Sequence, residues 1–411
     1  MTLSADASSS GGYPRAIPGL DAARLRNARV LVVGAGALGN EVLKNLALLD
    51  VRNICLLDFD RIEPHNLSRS VLFRPEDCTP PQPKADVAAR RLLEINPDLR
   101  LLTLKGDVMT DLGLGLLRSM DLVFGCVDNR LARLWLNRLC WRAGVPWING
   151  GILNLAGQVN VYAPGHGCYE CELTPTGWRD IRQRLGCTDM AQRYAASGQM
   201  PTTPLAASVI GAVQVQEGLK ILLDEPDALA GRMFSYEGAH LHSAVYTPQP
   251  LKEECGSHFE LPEVVVASEL GGKTTVEAAL GQLRDLLGVA EVAMVPAHEL
   301  VTAVAGMTSK VRHAVMLPRM RLSERVADVY REVQGEAVAI PRDALLRKID
   351  RDFPAPERTL GELGFPCWDV IQVRTEKGRF WVEMGADRKD CEFVTGIHEI
   401  ENPWFEFVPK K

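Results

Sequence analysis

The chain has 411 residues, of which 46% are hydrophobic and 24% are charged, and its formal net charge is −6. This length predicts two or three domains with enough chain to bury a core. A net negative charge gives no general attraction to nucleic acid, and no apolar run reaches a membrane-spanning length, so we expect neither a nucleic-acid partner nor a membrane partner.

The amino terminus and the cysteine content indicate the compartment. Residues 1–19 begin with a Ser/Ala/Gly-rich stretch that has no apolar core segment, which is typical of a disordered or partly ordered tail and not of a signal peptide. Ten cysteines in a chain of this length do not make a disulfide scaffold. We therefore expect a reducing, cytoplasmic environment, in which cysteines serve as metal ligands, nucleophiles or core residues.

Short apolar runs alternate with amphipathic segments in the first part of the chain. The runs predict strands at residues 31–33, 54–57, 101–104, 122–124 and 146–148. The segments between them predict helices at residues 38–49, 84–95, 112–118 and 129–142. This alternation predicts an α/β fold with a doubly wound, mainly parallel, Rossmann-like sheet, in a domain that we place at residues 20–258.

The remaining chain predicts an antiparallel strand, a loop, an apolar helix and a second domain. Alternating polar and apolar residues predict the strand at 158–162, and an apolar run opened by Pro204 predicts a helix at 204–223. Residues 172–203 are polar and irregular, which predicts a crossover loop or a small lid. Beyond several prolines, residues 262–386 predict an α+β domain, with strands at 264–267, 370–374 and 379–384 and a helix at 275–287. Residues 387–411 form a tail with no predicted role.

The first candidate site is a glycine motif between a strand and a helix. Gly34, Gly36 and Gly39 follow the first predicted strand, and Asp58 ends the second. The glycines allow a tight turn, a close approach of the backbone to phosphate, and packing of the helix on the strand, while the acid can bind a ribose hydroxyl. Many nucleotide-binding folds share this motif, and a purely structural glycine turn is the alternative.

The residues after Asp58 suit a triphosphate better than a nicotinamide cofactor. Asp60 comes first, and then Asn66 and Arg69, whose spacing lets an amide and a guanidinium converge on one anion. Lys84 follows a proline-rich loop and adds a point charge. Arg69 alone would be read as a solvated basic edge, but together with Lys84 and the glycine loop it indicates phosphate binding.

Asp128 is the candidate magnesium ligand. It follows the predicted strand at 122–124, at the carboxyl end of the sheet, where ligands gather. A carboxylate there is a hard oxygen ligand that suits Mg²⁺. The alternative role is to cap the next helix, but Asn129 can do that and leave Asp128 free.

Two short-spaced pairs of soft ligands predict a structural zinc site. Cys168 and Cys171 form a CxxC pair, and Cys255 and His258 form a CxxH pair. Together they can complete a tetrahedral site with no open position. A redox-active CxxC pair is the alternative. His240 and His242 are substitutes for His258 as the fourth ligand.

Cys187 lies in the predicted crossover loop after several arginines. Nearby cations lower the pKa of a thiol, and an exposed loop makes the thiolate accessible, so a nucleophile is one interpretation. A surface cysteine with no role is the other, and on these residues alone it is favoured. Cys55, Cys126 and Cys140 lie on apolar strands or helices and are predicted to be core residues.

Taken together, these motifs resemble a ubiquitin-activating-type enzyme of the ThiF/MoeB-like adenylation superfamily, and most of all the catalytic subunit that activates the ubiquitin-like modifier of cullins. The resemblance extends from Ala28 to about Leu223. It rests on GAGALGNEVLKNLALL, DFDRIEPHNLSRSVLFRPED, PKADVAARRL, CVDNRLARLWLN, CYECEL and the Cys187-Thr188 pair. In the second domain its best piece is TLGELGFPCWDVI, which begins at Thr359.

The resemblance implies ATP with Mg²⁺ as the nucleotide and a structural Zn²⁺. By position it implies that Asp58 binds the ribose, that Asn66, Arg69 and Lys84 bind the triphosphate, and that Asp128 binds magnesium. It also implies that Cys168 and Cys171 are the first pair of zinc ligands and that Cys187 is the catalytic cysteine. It also implies a ubiquitin-like protein with a C-terminal glycine as substrate, and a ubiquitin-conjugating enzyme recruited by a ubiquitin-fold domain at 262–386. A homodimer is expected, in which Arg15 is the match to an arginine that reaches the partner's ATP site.

The chain departs from the family pattern at four points. Ser70 stands where the family has Gln, the loop before Lys84 is about two residues longer, and His258 replaces a cysteine in the second zinc pair. The segment around Cys187 is much shorter than the cysteine domain of eukaryotic members. These features indicate a compact, prokaryotic type of enzyme.

Three other interpretations compete with an activating enzyme that forms a thioester. A sulfur-carrier adenylyltransferase of molybdopterin or thiamine synthesis would share the fold and the adenylation step, but not the thioester relay. A non-catalytic partner subunit or scaffold would show eroded phosphate-binding residues. An NAD-dependent dehydrogenase would have no use for Asn66, Arg69 and Asp128 together.

Overall fold

A computed structural model describes most of the chain. The described residues are 20–109, 111–185, 203–248, 252–267, 269–296, 300–301, 305–307, 337–339, 345–346, 348–353, 355–387 and 393–395. Arg15 and Cys187 lie outside these ranges, so the predictions made for them stay predictions.

Helices and strands alternate through the first half of the chain, as the sequence predicts. The helices are α1 (Ala22–Asn27), α2 (Ala37–Leu48), α3 (Lys84–Ile95), α4 (Leu114–Arg118), α5 (Arg130–Ala143), α6 (Tyr169–Glu172), α7 (Pro175–Leu185), α8 (Pro204–Leu222) and α9 (Val276–Leu287). The strands are β1 (Arg29–Val33), β2 (Asn53–Leu57), β3 (Arg100–Leu104), β4 (Leu122–Gly125), β5 (Trp147–Leu153), β6 (Ala156–Tyr162), β7 (Met233–Glu237), β8 (His242–Tyr246), β9 (Val264–Ala267), β10 (Val292–Val295), β11 (Leu300–Val301), β12 (Ala305–Met307), β13 (Ala337–Ala339), β14 (Leu345–Leu346), β15 (Val370–Thr375), β16 (Gly378–Met384) and β17 (Phe393–Thr395).

The main sheet has nine strands in the order β17-β3-β2-β1-β4-β5-β6-β7-β8. The five central strands are parallel, and they are β3, β2, β1, β4 and β5. Strands β6, β7 and β8 extend the sheet in antiparallel fashion. This confirms the predicted mainly parallel, Rossmann-like fold. The strand order reverses between β1 and β4, and ligands bind at such a point on the carboxyl edge of the sheet.

Helices cover both faces of the main sheet. Successive side chains of a strand point to opposite faces, so Val30 and Val32 pack in one core cluster and Leu31 and Val33 in another. Residues of α2, α3 and α8 join the first cluster, and residues of α4, α5 and α7 join the second. Burial on both faces explains why the central strands read as continuous apolar runs.

Part of the predicted crossover loop is helical. Residues 172–203 were expected to be irregular, but Pro175–Leu185 form α7, so the prediction is wrong for that segment. Ile181 of this helix is buried in the second core cluster and Trp178 packs against it. The helix has few apolar residues on its remaining positions, so its composition resembles a loop although its buried positions follow a helical spacing.

Helix α8 corrects the expectation that no segment has the length and apolarity of a membrane span. By length and composition it is the one helix in the described ranges that could cross a membrane, and half of the relevant window is buried inside the protein. It contributes Ile210 and Val215 to the core on the α2 side of the sheet. These contacts are those of a core helix.

The C-terminal part contains a second, four-stranded sheet in the order β10-β15-β16-β9. Strand β9 is parallel to β16, and β16-β15 and β15-β10 are antiparallel. Helix α9 buries Val276, Ala279 and Leu283 against this sheet in a core of its own. The mixed sheet and its helix form a second sheet unit, as predicted. Its boundaries at 262–386 and its assignment as a ubiquitin fold stay predictions.

Trp368 joins the C-terminal unit to the domain that contains the main sheet. Its side chain is fully buried, and it belongs to the core cluster that includes α4 and α5. Two glycines of the main-sheet domain allow this close approach. A Cβ atom on Gly113 would lie 2.2 Å from the carbonyl oxygen of Cys367, and a Cβ atom on Gly115 would lie 2.7 Å from the Trp368 ring. The indole N–H donates to Glu383 Oε1 at 2.7 Å.

Buried polar contacts complete this junction. The backbone N–H of Leu114 donates to Asp369 Oδ1 at 3.0 Å, and Arg118 pairs with the buried Glu383 at 2.8 Å. Burial raises the pKa of Asp369 to about 6, and the backbone donors at Leu114 and Val370 oppose that rise. Because buried charges need partners, these contacts fix one orientation of the two units.

Residues of the C-terminal tail form the last strand of the main sheet. Strand β17 pairs antiparallel with β3, placing Phe393 opposite Leu102. No role is predicted for residues 387–411 from the sequence, and this strand was missed. Its three residues cover the edge of β3, which would otherwise expose unpaired backbone groups.

Candidate active site

The glycine motif turns sharply from β1 into α2. Gly34 has a φ of +97°, which favours glycine, and a Cβ there would lie 2.6 Å from the Cys126 carbonyl oxygen. A Cβ on Gly39 would lie 1.9 Å from the carbonyl oxygen of Gly34. These two glycines are therefore required by the fold itself.

Gly36 differs, because the protein does not need a glycine there for space. A Cβ at this position would meet no protein atom within 4 Å, and its φ is −75°. Gly36 is the N-cap of α2, and no side chain caps that helix end. The first N–H groups of the twelve-residue helix are thus available to bind an anion. A side chain at position 36 would keep the anion at a greater distance from these N–H groups.

Asp58 is fixed against the glycine loop. Its Oδ2 accepts a hydrogen bond from the N–H of Ala35 at 2.6 Å, and its Oδ1 accepts one from the N–H of Asp60 at 2.7 Å. Burial raises the pKa of Asp58, while the charge of Lys84 and the two backbone donors act against that rise. A carboxylate held at the end of β2 has the position expected of a ribose-binding acid.

Lys84 and Asp60 form an ion pair at the edge of this loop. The Lys84 Nζ lies 2.8 Å from Asp60 Oδ2, and the Lys84 N–H donates to the Asp60 carbonyl oxygen at 2.9 Å. Lys84 is buried, whereas the Asp60 side chain is half exposed. The lysine is the first residue of α3, so the fold brings it to the same edge as Asp58.

Asn66 and Arg69 lie on an irregular segment, residues 66–72, which we call the anion arm. The Asn66 Oδ1 accepts from the N–H of Glu63 at 2.9 Å, so this buried amide stabilises a short 3₁₀ turn. The Arg69 side chain is partly exposed, and in the described ranges no carboxylate forms an ion pair with it. The neighbouring Ser70 hydroxyl is buried and has no hydrogen-bond partner there.

Asp128 is exposed just beyond β4, beside the switch point of the sheet. Asn129 caps α5, because its Oδ1 accepts from the N–H of Ala132 at 2.8 Å. Asn129, and not Asp128, is therefore the residue that caps α5. The Asn129 amide donates to Asp128 Oδ1 at 3.3 Å, and within the described part of the chain Asp128 makes no ion pair.

Half-buried polar residues on α5 and α6 were missed by the sequence interpretation. Arg133 donates to the carbonyl oxygens of Val127 and Gly150, and burial lowers its pKa. Glu172 accepts a hydrogen bond from the Tyr162 hydroxyl at 2.8 Å, and burial raises the pKa of Glu172 to about 7. No local motif marks these residues, because α5, α6 and β6 come together only in the fold.

Asn40 was also missed. It is fully buried in the first turn of α2. Its amide donates to the carbonyl oxygens of Ala35 and Gly36 at 2.7 and 3.0 Å, and its Oδ1 accepts from the N–H of Leu72 at 2.8 Å. The residue connects the glycine loop to the anion arm, and its position directly after Gly39 was the one available signal.

The four predicted zinc ligands lie together. The ligand atoms of Cys168, Cys171, Cys255 and His258 are all within 4.8 Å of one another. The Cys168 sulfur is 3.7 Å from those of Cys171 and Cys255, and the Cys171 sulfur is 3.5 Å from His258 Nε2. The corners of a tetrahedron with metal–sulfur bonds of about 2.3 Å are roughly 3.8 Å apart. The donor set and its spacing therefore fit zinc.

Surrounding side chains orient this cluster. Glu170 of the CxxC pair contacts Ser257 of the CxxH pair: its carboxylate accepts from Ser257 Oγ at 2.6 Å and from Arg138 through two hydrogen bonds of 3.0 Å. The ring of Trp141 stacks on that of His258 with their centroids 3.9 Å apart. Such contacts hold ligands in the orientation that a metal requires.

His258, and not either substitute, completes the cluster. His240 and His242 lie on the exposed β7-β8 hairpin and are not in the group of candidate ligands. Among the other cysteines, Cys55 and Cys140 are buried as predicted, and Cys126 is half-buried, where burial raises its pKa to about 12.

The fold and these sites define a nucleotide-binding α/β domain that carries a Cys₃His cluster beside its sheet. The profile of the ThiF family matches residues 14–257. The chain therefore belongs to the ThiF family and contains an E1-like adenylation domain.

Relatives include both modifier-activating enzymes and adenylyltransferases. The SAMP-activating enzyme E1 of Haloferax volcanii is 31% identical over 263 residues, which are 62% of this chain and 92% of that protein. The molybdopterin-synthase adenylyltransferase of Salmonella typhimurium is 34% identical over 215 residues, covering 52% of this chain and 80% of that protein. The SUMO-activating enzyme subunit 2 of Dictyostelium discoideum is 36% identical over 151 residues, covering 36% and 22%.

Solved structures were also found. One of them, E. coli MccB with ATP, has 24% sequence identity and a TM-score of 0.47, and the match covers 58% of this chain and 68% of that chain.

Proposed function

We propose that this protein activates the C-terminal carboxylate of a ubiquitin-like protein by Mg-ATP-dependent adenylation. It then forms a thioester with that protein on Cys187 and transfers it to a ubiquitin-conjugating enzyme. The substrate would end in glycine, the protein would act as a homodimer in the cytoplasm, and Arg15 would extend to the partner's ATP site.

Gly36 is the observation that supports adenylation best. Space remains for a Cβ at this N-cap, so the glycine is explained by what approaches from outside and not by packing. An anion at this helix end would receive backbone N–H groups and the positive end of the helix dipole. Asp58, on the same loop, would bind the ribose of the same nucleotide.

Charge neutralisation is the role of the side chains around this loop. Arg69 supplies a guanidinium that has no ion-pair partner in the described ranges, and Lys84 supplies an ammonium that now pairs with Asp60. Asp128 would hold the Mg²⁺ that accompanies ATP, since carboxylate oxygen is the ligand that this ion prefers. Asn66 would fix the turn from which Arg69 extends.

Adenylation then requires alignment and electrostatic stabilisation. A carboxylate is already ionised at pH 7, so its oxygen can attack the α-phosphate without a general base. The bond between the α-phosphorus and the bridging oxygen breaks, and pyrophosphate leaves with its charge neutralised by Mg²⁺, Lys84 and Arg69. The product is an acyl-adenylate.

In the second step the Cys187 thiolate attacks the acyl carbon, a thioester forms, and AMP leaves. Cys187 lies two residues beyond the end of α7. Cys55, Cys126 and Cys140 are poor alternatives because burial raises the pKa of each thiol. The C-terminal unit at 262–386 would then recruit the conjugating enzyme.

Zinc would be structural in this scheme. Cys168, Cys171, Cys255 and His258 would complete its coordination and leave no open position for catalysis. The ion would tie the segment after β6 to the segment that leads into the C-terminal unit.

A sulfur-carrier adenylyltransferase is the second candidate. The chain is similar to a molybdopterin-synthase adenylyltransferase over about half of its length, which supports this candidate. That support is as strong as the support that the modifier-activating relatives give to thioester transfer. Both candidates share the adenylation step, and they differ in whether Cys187 receives the acyl group.

Adenylation is tested by modifier-dependent exchange of pyrophosphate into ATP. We expect Asp128→Ala to abolish exchange, whereas Asp86→Ala, which removes an exposed partner of Lys105, serves as the matched acidic control and should retain it. Normal exchange in Asp128→Ala would refute the magnesium assignment.

The relay is tested on a non-reducing gel after incubation with ATP and candidate ubiquitin-like proteins. We expect a thiol-sensitive adduct that Cys187→Ala loses while pyrophosphate exchange continues. Cys367→Ala is the matched control, because this cysteine is exposed and lies outside the proposed site. Exchange without any adduct would favour the sulfur-carrier adenylyltransferase.

A further inference from the structure

Asn40 uses its whole side-chain amide to connect two separate segments. The two N–H groups of its amide donate to the carbonyl oxygens of Ala35 and Gly36, and its oxygen accepts from the N–H of Leu72, with all three distances between 2.7 and 3.0 Å. The side chain is fully buried, so water does not compete for these hydrogen bonds.

The two connected segments carry different parts of the proposed ATP site. Ala35 and Gly36 belong to the glycine loop, where the proposed function places the phosphates. Leu72 ends the anion arm that carries Arg69. The arm is irregular, and apart from the contact with Asn40 its recorded hydrogen bonds are short-range, such as those from the N–H of Asn66 to the Glu63 carbonyl oxygen and from the N–H of Arg69 to the Asn66 carbonyl oxygen. Its distance from the loop is therefore not set by a helix or a strand.

We infer that Asn40 is a positioning residue for ATP, which holds the anion arm against the glycine loop before the nucleotide binds. This inference rests on the proposed function. Phosphate groups must contact the loop and Arg69 at once, so a displacement of the arm by about 1 Å is enough to cost roughly 100-fold in binding or rate. A site held in place by its supporting shell avoids that loss.

A purely structural role for Asn40 predicts a different result, and Asn96 separates the two. Asn96 is equally buried, and it also makes three hydrogen bonds, to Ala47, Asp50 and Asp98, each of 3.1 Å. It fixes the C-terminal end of α2, whereas Asn40 fixes the N-terminal end. Asn96→Ala is therefore a matched control for the loss of a buried amide in contact with the same helix.

The experiment measures the Kd for Mg-ATP by calorimetry and the melting temperature of the whole chain. We expect both Asn40→Ala and Asn96→Ala to lower the melting temperature. Asn40→Ala should also raise the Kd for Mg-ATP by roughly 10- to 100-fold, and Asn96→Ala should leave it unchanged. Asn40→Ser, which keeps a smaller polar group, gives the same comparison if the alanine variant does not fold.

A double-mutant cycle with Arg69→Ala tests the route of the effect. If Asn40 acts through the arm, its replacement should weaken ATP binding much less when the guanidinium is already absent. Unchanged affinity in Asn40→Ala, or fully additive losses, would overturn the inference while leaving the proposed function intact. A wild-type chain that fails to bind Mg-ATP would overturn both.

Discussion

Gly36→Ala adds one methyl group at a position where the protein leaves room for it. No protein atom lies within 4 Å of the added Cβ, and the backbone is in an extended conformation that alanine adopts freely. The methyl group would project from the N-cap of α2, where the proposed phosphate approaches. The substitution should therefore separate ligand binding from folding.

The expected changes in stability and in affinity differ in size. Alanine is a poorer N-cap residue than glycine by up to about 1 kcal/mol, but it restricts the unfolded chain and returns about 0.4–1 kcal/mol. Folding stability thus changes by less than about 1 kcal/mol. Loss of one charge-assisted hydrogen bond to phosphate costs about 1.5–3 kcal/mol, which corresponds to roughly 10- to 100-fold in affinity.

Calorimetric titration with Mg-ATP and thermal unfolding measure both quantities on the same sample. Gly281→Ala is the matched control, because Gly281 lies inside α9 and its added Cβ also meets no atom within 4 Å. That variant should be stabilised by about 0.5–1 kcal/mol and should bind ATP normally. Wild-type affinity in Gly36→Ala would refute the placement of phosphate at this helix end.

Three further results are expected. Elemental mass spectrometry should detect zinc in the purified protein. The His258→Ala variant should lose most of this zinc, whereas the His242→Ala variant, whose substitution lies on the exposed hairpin, should keep it. Trp368→Ala should cost about 3–5 kcal/mol at the junction, seen as faster proteolysis between the two units; an unchanged digestion pattern would contradict the junction. Burial raises the pKa of Asp369 to about 6 from 3.8, so the folded state binds a proton that the unfolded state has lost, and stability should fall as pH rises from about 4 to 6. Asp369→Asn should remove that slope in urea unfolding, and an identical slope would contradict the assignment.

The sequence predicts the main sheet well because its strands are buried on both faces. Continuous apolar runs at β1, β2 and β4 leave little choice of element, and the helices between them follow the expected spacing. Helix α7 was missed because a polar surface helix and a polar loop have similar compositions. Strand β17 was missed because its pairing with β3 joins residues about 290 positions apart, and no local pattern reports such a contact.

In the candidate site too, local sequence patterns could be predicted and contacts between distant segments could not. The glycines, the acid after β2 and the zinc pairs could be predicted because each group is contiguous in sequence and has a chemical spacing of its own. Asn40 and Glu172 could not, since each acquires its partners from another segment. The pairing of Lys84 with Asp60 was also not predicted, although both residues were named.

The contacts of the glycine loop show why the loop by itself does not choose between a dinucleotide and ATP. Asp58 and Asn40 hold its backbone through Ala35 and Gly36, and a loop held in this way would serve any phosphate. A triphosphate carries more negative charge than a pyrophosphate, so it requires more cations to neutralise it. In the proposed function, Arg69 and Lys84 would supply them, and both residues lie on segments outside the glycine motif. In the proposed function, the loop would therefore provide a phosphate site, and the anion arm and the first turn of α3 would provide the preference for ATP.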